Sequence, residues 1–186
     1  MTVADDIAYF RSLLSEATEA IGRDYFLLPV ANADGGDPIV QYRERVYAYE
    51  LYHQLRVRWP RDWAYSLAGE VDKRGHPLIR NILNNAKPDL LVHIPGRMDA
   101  NLAAIEIKPL RPDGYPGEDE AFQWDIKKLL AFRDFGYSAS FFIAFGESLN
   151  RVREYGRILA ESGVPVDQVE LIHHRDAGIS AITVEW

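Results

Sequence analysis

Asp89, Glu106 and Lys108 are the residues whose types and spacing best suit chemistry. They lie in KPDLLVHIPGRMDANLAAIEIKP, residues Lys87 to Pro109, where two apolar runs flank a Pro-Gly turn. If the runs pair antiparallel about a turn centred between Arg97 and Met98, Asp89 and Glu106 become cross-strand neighbours. Lys108, two residues beyond Glu106, projects from the same face. Two adjacent carboxylates repel unless a cation separates them, and a divalent cation, hard and oxygen-seeking, fits that place. A one-residue slip in register would part the acids. An amphipathic strand with Glu and Lys on its solvent face is the plain alternative for IEIK taken alone.

The elements that must position these groups can be read from periodicity. Residues 3–21 repeat apolar groups at helical spacing, with acids near the start where the helix dipole favours them. A polar loop, ANADGGDP, follows. Residues 41–59 form the next predicted helix, stopped by Pro60, with Tyr47, Leu51 and Leu55 as its apolar stripe. WAYSLAGEVDK reads as a strand, and residues 89–94 and 102–108 as two more. EAFQWDIKKLLAFRDF is a helix with Phe122, Ile126, Leu129 and Leu130 on its core face, ended by Gly136. ASFFIAF is the continuous apolar run of a strand buried on both faces. SLNRVREYGRILAES is a helix, and QVELIHH and ISAITVEW are a closing pair of strands. The expected fold is α/β: a mixed central sheet flanked by helices, as a single domain over 1–186. Its core, at about 41–146, has the order α-β-β-β-α-β. The N-terminal helix 3–21 and a C-terminal helix plus strands lie outside it.

Pro88-Asp89 opening one strand and Glu106-Ile107-Lys108 on the next resemble the motif of the PD-(D/E)xK nuclease superfamily, the restriction-endonuclease-like enzymes. The core order of that superfamily is similar over residues 41–146. The resemblance implies metal-dependent hydrolysis of phosphodiesters with Mg²⁺ or Mn²⁺, in DNA ahead of RNA, as in restriction, repair or phage-defence systems. It implies that Asp89 and Glu106, with the Ile107 backbone carbonyl, hold the metal, and that Lys108 orients water and offsets transition-state charge. Members usually add an acid on the preceding helix, for which Glu50 is the candidate; Glu70 is a further candidate ligand. Members also place charge on the helix after the lysine strand. Asp125 and Lys128 match that habit, and a surface i,i+3 ion pair accounts for them equally well. Lys128, Lys127 and Arg97 are candidate nucleic-acid contacts. Cutting both strands of a duplex calls for a homodimer or a partner subunit. The competing readings are an inactive member of the same fold serving as a binding or assembly module, and a plain α/β protein whose acids meet by chance.

Composition limits the rest. With 186 residues, 47% hydrophobic and 26% charged, the chain can bury a core and has no bias towards disorder. Net charge is −7, which argues against simple electrostatic adhesion to nucleic acid or anionic lipid. Local basic clusters remain, such as Arg56, Arg58 and Arg61. The absence of cysteine excludes disulfides, thiol catalysis and cysteine zinc sites. No apolar run has membrane-spanning length and no signal pattern opens the chain, so a cytoplasmic protein is expected. There is no GxGxxG, P-loop or HExxH, and GES at Gly146 is not a nucleophile elbow. His173 and His174, adjacent on a strand, point to opposite faces and are expected to be structural. Trp59, Trp63, Trp124, Tyr47, Tyr49 and Tyr52 could stack bases, although packing also explains such aromatics.

Overall fold

The structure, a computed structural model, describes residues 2–32, 34–69, 87–97, 99–111 and 114–186. A six-stranded mixed sheet runs in the order β3 (Ser66–Gly69), β4 (Leu90–His93), β5 (Asn101–Pro109), β6 (Tyr137–Phe145), β7 (Glu170–His174), β8 (Ile182–Val184). β3 pairs antiparallel with β4 and β4 with β5, whereas β5, β6 and β7 are mutually parallel and β8 returns antiparallel. Helices α1 (Val3–Glu19) and α3 (Glu44–Arg58) cover one face. Helices α4 (Glu118–Asp134) and α5 (Leu149–Glu161) lie on the other. From α3 onward the described order is α3-β3-β4-β5-α4-β6, matching the order read from periodicity. No described helix is long and apolar enough to cross a membrane.

Each face has its own apolar cluster, and alternation along the strands divides the side chains between them. Ala103, Ile105 and Ile107 of β5 pack with Phe10, Tyr47, Leu51 and Leu55. Ala104, on the opposite parity, packs with Phe122, Ile126 and Leu129 of α4. β5 and β6 are buried along nearly their whole length, as parallel strands covered on both sides require. α1 begins with a capping box: Thr2 Oγ1 accepts from Asp5 N–H, and Asp5 accepts from Thr2 N–H at 2.7 Å.

Three small elements carry no period that a sequence reading would catch. Helix α2 (Arg23–Phe26) leads into β1 (Leu28–Val30), which pairs antiparallel with β2 (Ile39–Gln41) across the polar loop. At the far end of β6, Gly146 adopts φ +118°, and a Cβ there would stand 2.7 Å from the Leu110 carbonyl oxygen. Glycine is what lets the chain leaving β6 lie against the end of β5.

Candidate active site

The hairpin register places the two acids together. Leu90 faces Ile105, Leu91 faces Ala104 and Val92 faces Ala103; one step further back, Asp89 falls opposite Glu106. Beyond Val92 the register shifts by one, an irregularity at the turn end that leaves the acidic end untouched.

Asp89 stops the ladder instead of extending it. Its Oδ2 accepts from the Ile107 N–H at 2.7 Å. An extended residue points its N–H and C=O to the same side, so the Ile107 carbonyl faces the Asp89 side as well. Continuing the register sets Pro88 opposite Ile107, and proline has no N–H to give that carbonyl. A proline before the acid thus ends the pairing where a carboxylate and a carbonyl point together.

Around them runs a chain of alternating charge. Lys108 Nζ lies 2.9 Å from Glu44 Oε2 and 3.0 Å from Asp125 Oδ2. Lys128 Nζ lies 2.9 Å from Asp125 Oδ1 and 2.8 Å from Glu106 Oε1. Glu106, Asp125 and Lys128 are only 2%, 4% and 9% exposed. With Asp89, the cluster holds four carboxylates against two ammoniums. The sealed oxygens Glu106 Oε1 and Asp125 Oδ2 meet their ammoniums closely but outside hydrogen-bond alignment.

Proton affinities follow from this crowding. Burial and then the charge of Glu44 push the Asp89 carboxyl up to about 6. Burial, then Asp89, push Glu106 well above the carboxylate range. Burial works against the ammonium of Lys108, but Asp125 and Glu44 outweigh it and hold its pKa above the ordinary lysine value. Lys128 is likewise raised, with burial opposed by Glu106 and Asp125. Lys108 is therefore a fixed positive charge at neutral pH and cannot accept a proton.

Several sequence expectations need correction. The acid that α3 supplies is Glu44. Glu50 sits about 120° round the helix and roughly 9 Å further along, where it accepts from Gln54 Nε2 at 2.6 Å. Lys128 is buried inside the cluster, so it is neither half of a surface ion pair nor an open phosphate contact. Arg97 pairs with Asp99 in the turn at the opposite end of the hairpin, and from Asn101 to Glu106 alone β5 runs roughly 17 Å. Lys127 is exposed on α4 and makes no ion pair with the cluster among the described residues. Glu70 lies outside the described residues. His173 and His174 do take opposite faces: His173 Nε2 meets the Gly146 carbonyl at 2.7 Å, and His174 Nδ1 meets the Tyr47 hydroxyl at 2.7 Å.

A signal for the missed Glu44, and one for the burial of Asp125, were present in the sequence. Glu44 lies one turn before Tyr47 on the stripe continued by Leu51 and Leu55, and Asp125 shares the stripe of Phe122, Ile126 and Leu129. A buried acid such as Asp125 must have a partner.

Among the described residues, no three carboxylates or histidines converge as a ready-made metal shell. Comparison with family models, with characterised proteins and with solved structures finds no match to this chain.

Proposed function

We propose that this chain is a divalent-metal-dependent nuclease of the PD-(D/E)xK type, hydrolysing phosphodiester bonds in DNA ahead of RNA. One observation carries the reading. Asp89 and Glu106 face each other where the β4–β5 ladder ends, with Lys108 on the same face and four carboxylates against two ammoniums around it. The α-β-β-β-α-β order supports the same reading, as does a site towards the carboxyl ends of the parallel strands, where open sheets bind ligands.

The residues fit a hard cation. Every donor is oxygen, and the cluster carries two negative charges in excess when fully ionised. Mg²⁺ takes only one or two protein carboxylates and keeps its waters, so a two-carboxylate site suits it without a third converging acid. Asp89, Glu106 and the Ile107 carbonyl would hold it. A bound Mg²⁺ or Mn²⁺ would polarise the scissile phosphate and acidify a water. Lys108, steadied from both sides by Glu44 and Asp125, holds a positive charge where the transition state gathers negative charge. Lys128 partly neutralises Glu106 and Asp125, and its charge pulls the Asp89 carboxyl down against burial and Glu44.

The test is cleavage of plasmid, single-stranded DNA and RNA with Mg²⁺, Mn²⁺ or EDTA. Metal-dependent cutting is expected to fall at least about a hundredfold in Lys108→Ala and Glu106→Ala, and to stay within about twofold in Glu50→Ala. Cutting that survives Lys108→Ala, or needs no metal, would sink the reading. Metal binding without cleavage of any substrate would favour an inactive binding module.

A further inference from the structure

The aromatics singled out in the sequence separate sharply in the structure. Tyr47 is fully buried in the core, whereas Tyr49, two residues on, is 60% exposed. Arg45, Tyr49, Tyr52 and Arg56 are spaced by four, three and four residues, so they share one face of α3. That face is turned away from the core stripe of Tyr47, Leu51 and Leu55.

Two clefts lie along this face. One, of about 300 Å³, is lined by Tyr49 and Tyr52 together with Gly69, Asp89 and Leu90, so it reaches the acidic site. The other, of about 510 Å³, is lined by Arg56, Trp59, Arg61 and Trp63 with Ser66. Ser66 and Gly69 are the two ends of β3, and Tyr52 and Arg56 are one helical turn apart, so the clefts are neighbours along one track. Charge on the track opposes the molecule's total. Residues 43–62 hold five arginines against three acids, in a chain of net charge −7.

We propose that this face of α3 binds a single-stranded polynucleotide and leads it to Asp89, with bases stacking on Tyr49 and Tyr52 and phosphates meeting Arg56 and Arg61. The proposal rests on the nuclease reading and narrows its substrate. A duplex keeps its base faces stacked inside and has nothing to offer an exposed tyrosine ring, whereas a single strand presents every base. A protein this acidic gains little from phosphate attraction alone, so its affinity must come largely from stacking. The Arg45-to-Arg56 face spans about 16 Å, which a few nucleotides cover.

The test is fluorescence anisotropy in EDTA, where metal-dependent cutting is absent, with labelled oligo(dT), oligo(U) and a hairpin duplex. The wild type is expected to bind at least one of the single strands about tenfold more tightly than the duplex. The salt slope should be shallow, about −1.4 for two phosphate contacts. Tyr49→Ala should weaken binding roughly 5- to 100-fold, Tyr49→Phe should restore most of it, and Trp124→Ala, on α4, should change nothing. Tyr49 is a surface residue, so its variants fold. Equal or tighter duplex binding, no binding at all, or an unchanged Tyr49→Ala would overturn the proposal. Cleavage that depends on Lys108 but accompanies Tyr49-independent binding sinks the track alone. Strand binding without any metal-dependent cutting sinks the nuclease alone.

Discussion

Lys128 stands where an isolated residue would be badly placed. Its side chain is only 9% exposed, and its ammonium lies within 3 Å of Glu106 and Asp125. Removing one member of such a buried set leaves uncompensated charge, whose cost exceeds the small net worth of the pairs themselves. Lys128→Met is therefore expected to lower stability by about 3 kcal/mol at neutral pH, read from urea unfolding. Adding Glu106→Gln to Lys128→Met should recover part of that loss. If the double variant is as unstable as the sum of two singles, the charges are not coupled as described. Lys108 differs in kind. It is bonded on both sides but less enclosed, with 18% of its side chain exposed.

At the scale of elements, the close of β6 against β5 depends on one backbone conformation. Gly146→Ala forces a side chain into positive φ and against the Leu110 carbonyl, so a loss of about 2 kcal/mol is expected in thermal or urea unfolding. An unchanged midpoint would mean the strand ends can part freely. The hairpin and its register were legible because alternating apolar residues and a Pro-Gly turn leave little choice once one face must be buried. β6 was legible as an unbroken apolar run. α2, β1 and β2 were not, because strands of three residues with mostly exposed side chains show no period. They are held instead by rings such as Phe26, which packs edge-on to Tyr42 and Phe145. Glu44 and Glu50 both lie on α3, and helix periodicity alone does not say which of them reaches the end of β5. The rotation of α3 about its buried stripe decides between them, and that rotation is set by tertiary packing.

For the whole molecule, pH is the revealing variable. His174 bridges layers: it sits on β7, bonds the Tyr47 hydroxyl of α3 and lies edge-on to Phe26. Burial lowers its pKa from the ordinary 6.5 to about 4. The unfolded chain therefore takes up a proton first as pH falls. The stability carried by neutral His174 is complete above about pH 6.5 and is lost progressively towards pH 4. The loss is on the order of 3 kcal/mol, and His174→Gln should flatten that part of the unfolding-versus-pH curve. A curve equally steep in the variant would assign the acid sensitivity elsewhere.

The acidic cluster also has a consequence for the order of assembly. Glu44 arrives from the helical layer on one side of the sheet, and Asp125 and Lys128 from the layer on the other, meeting at the end of β5. A chain with only one layer docked has Lys108 gripped on one side and swinging on the other. The cluster thus works as a rivet through three layers, complete only when the last helix is in place.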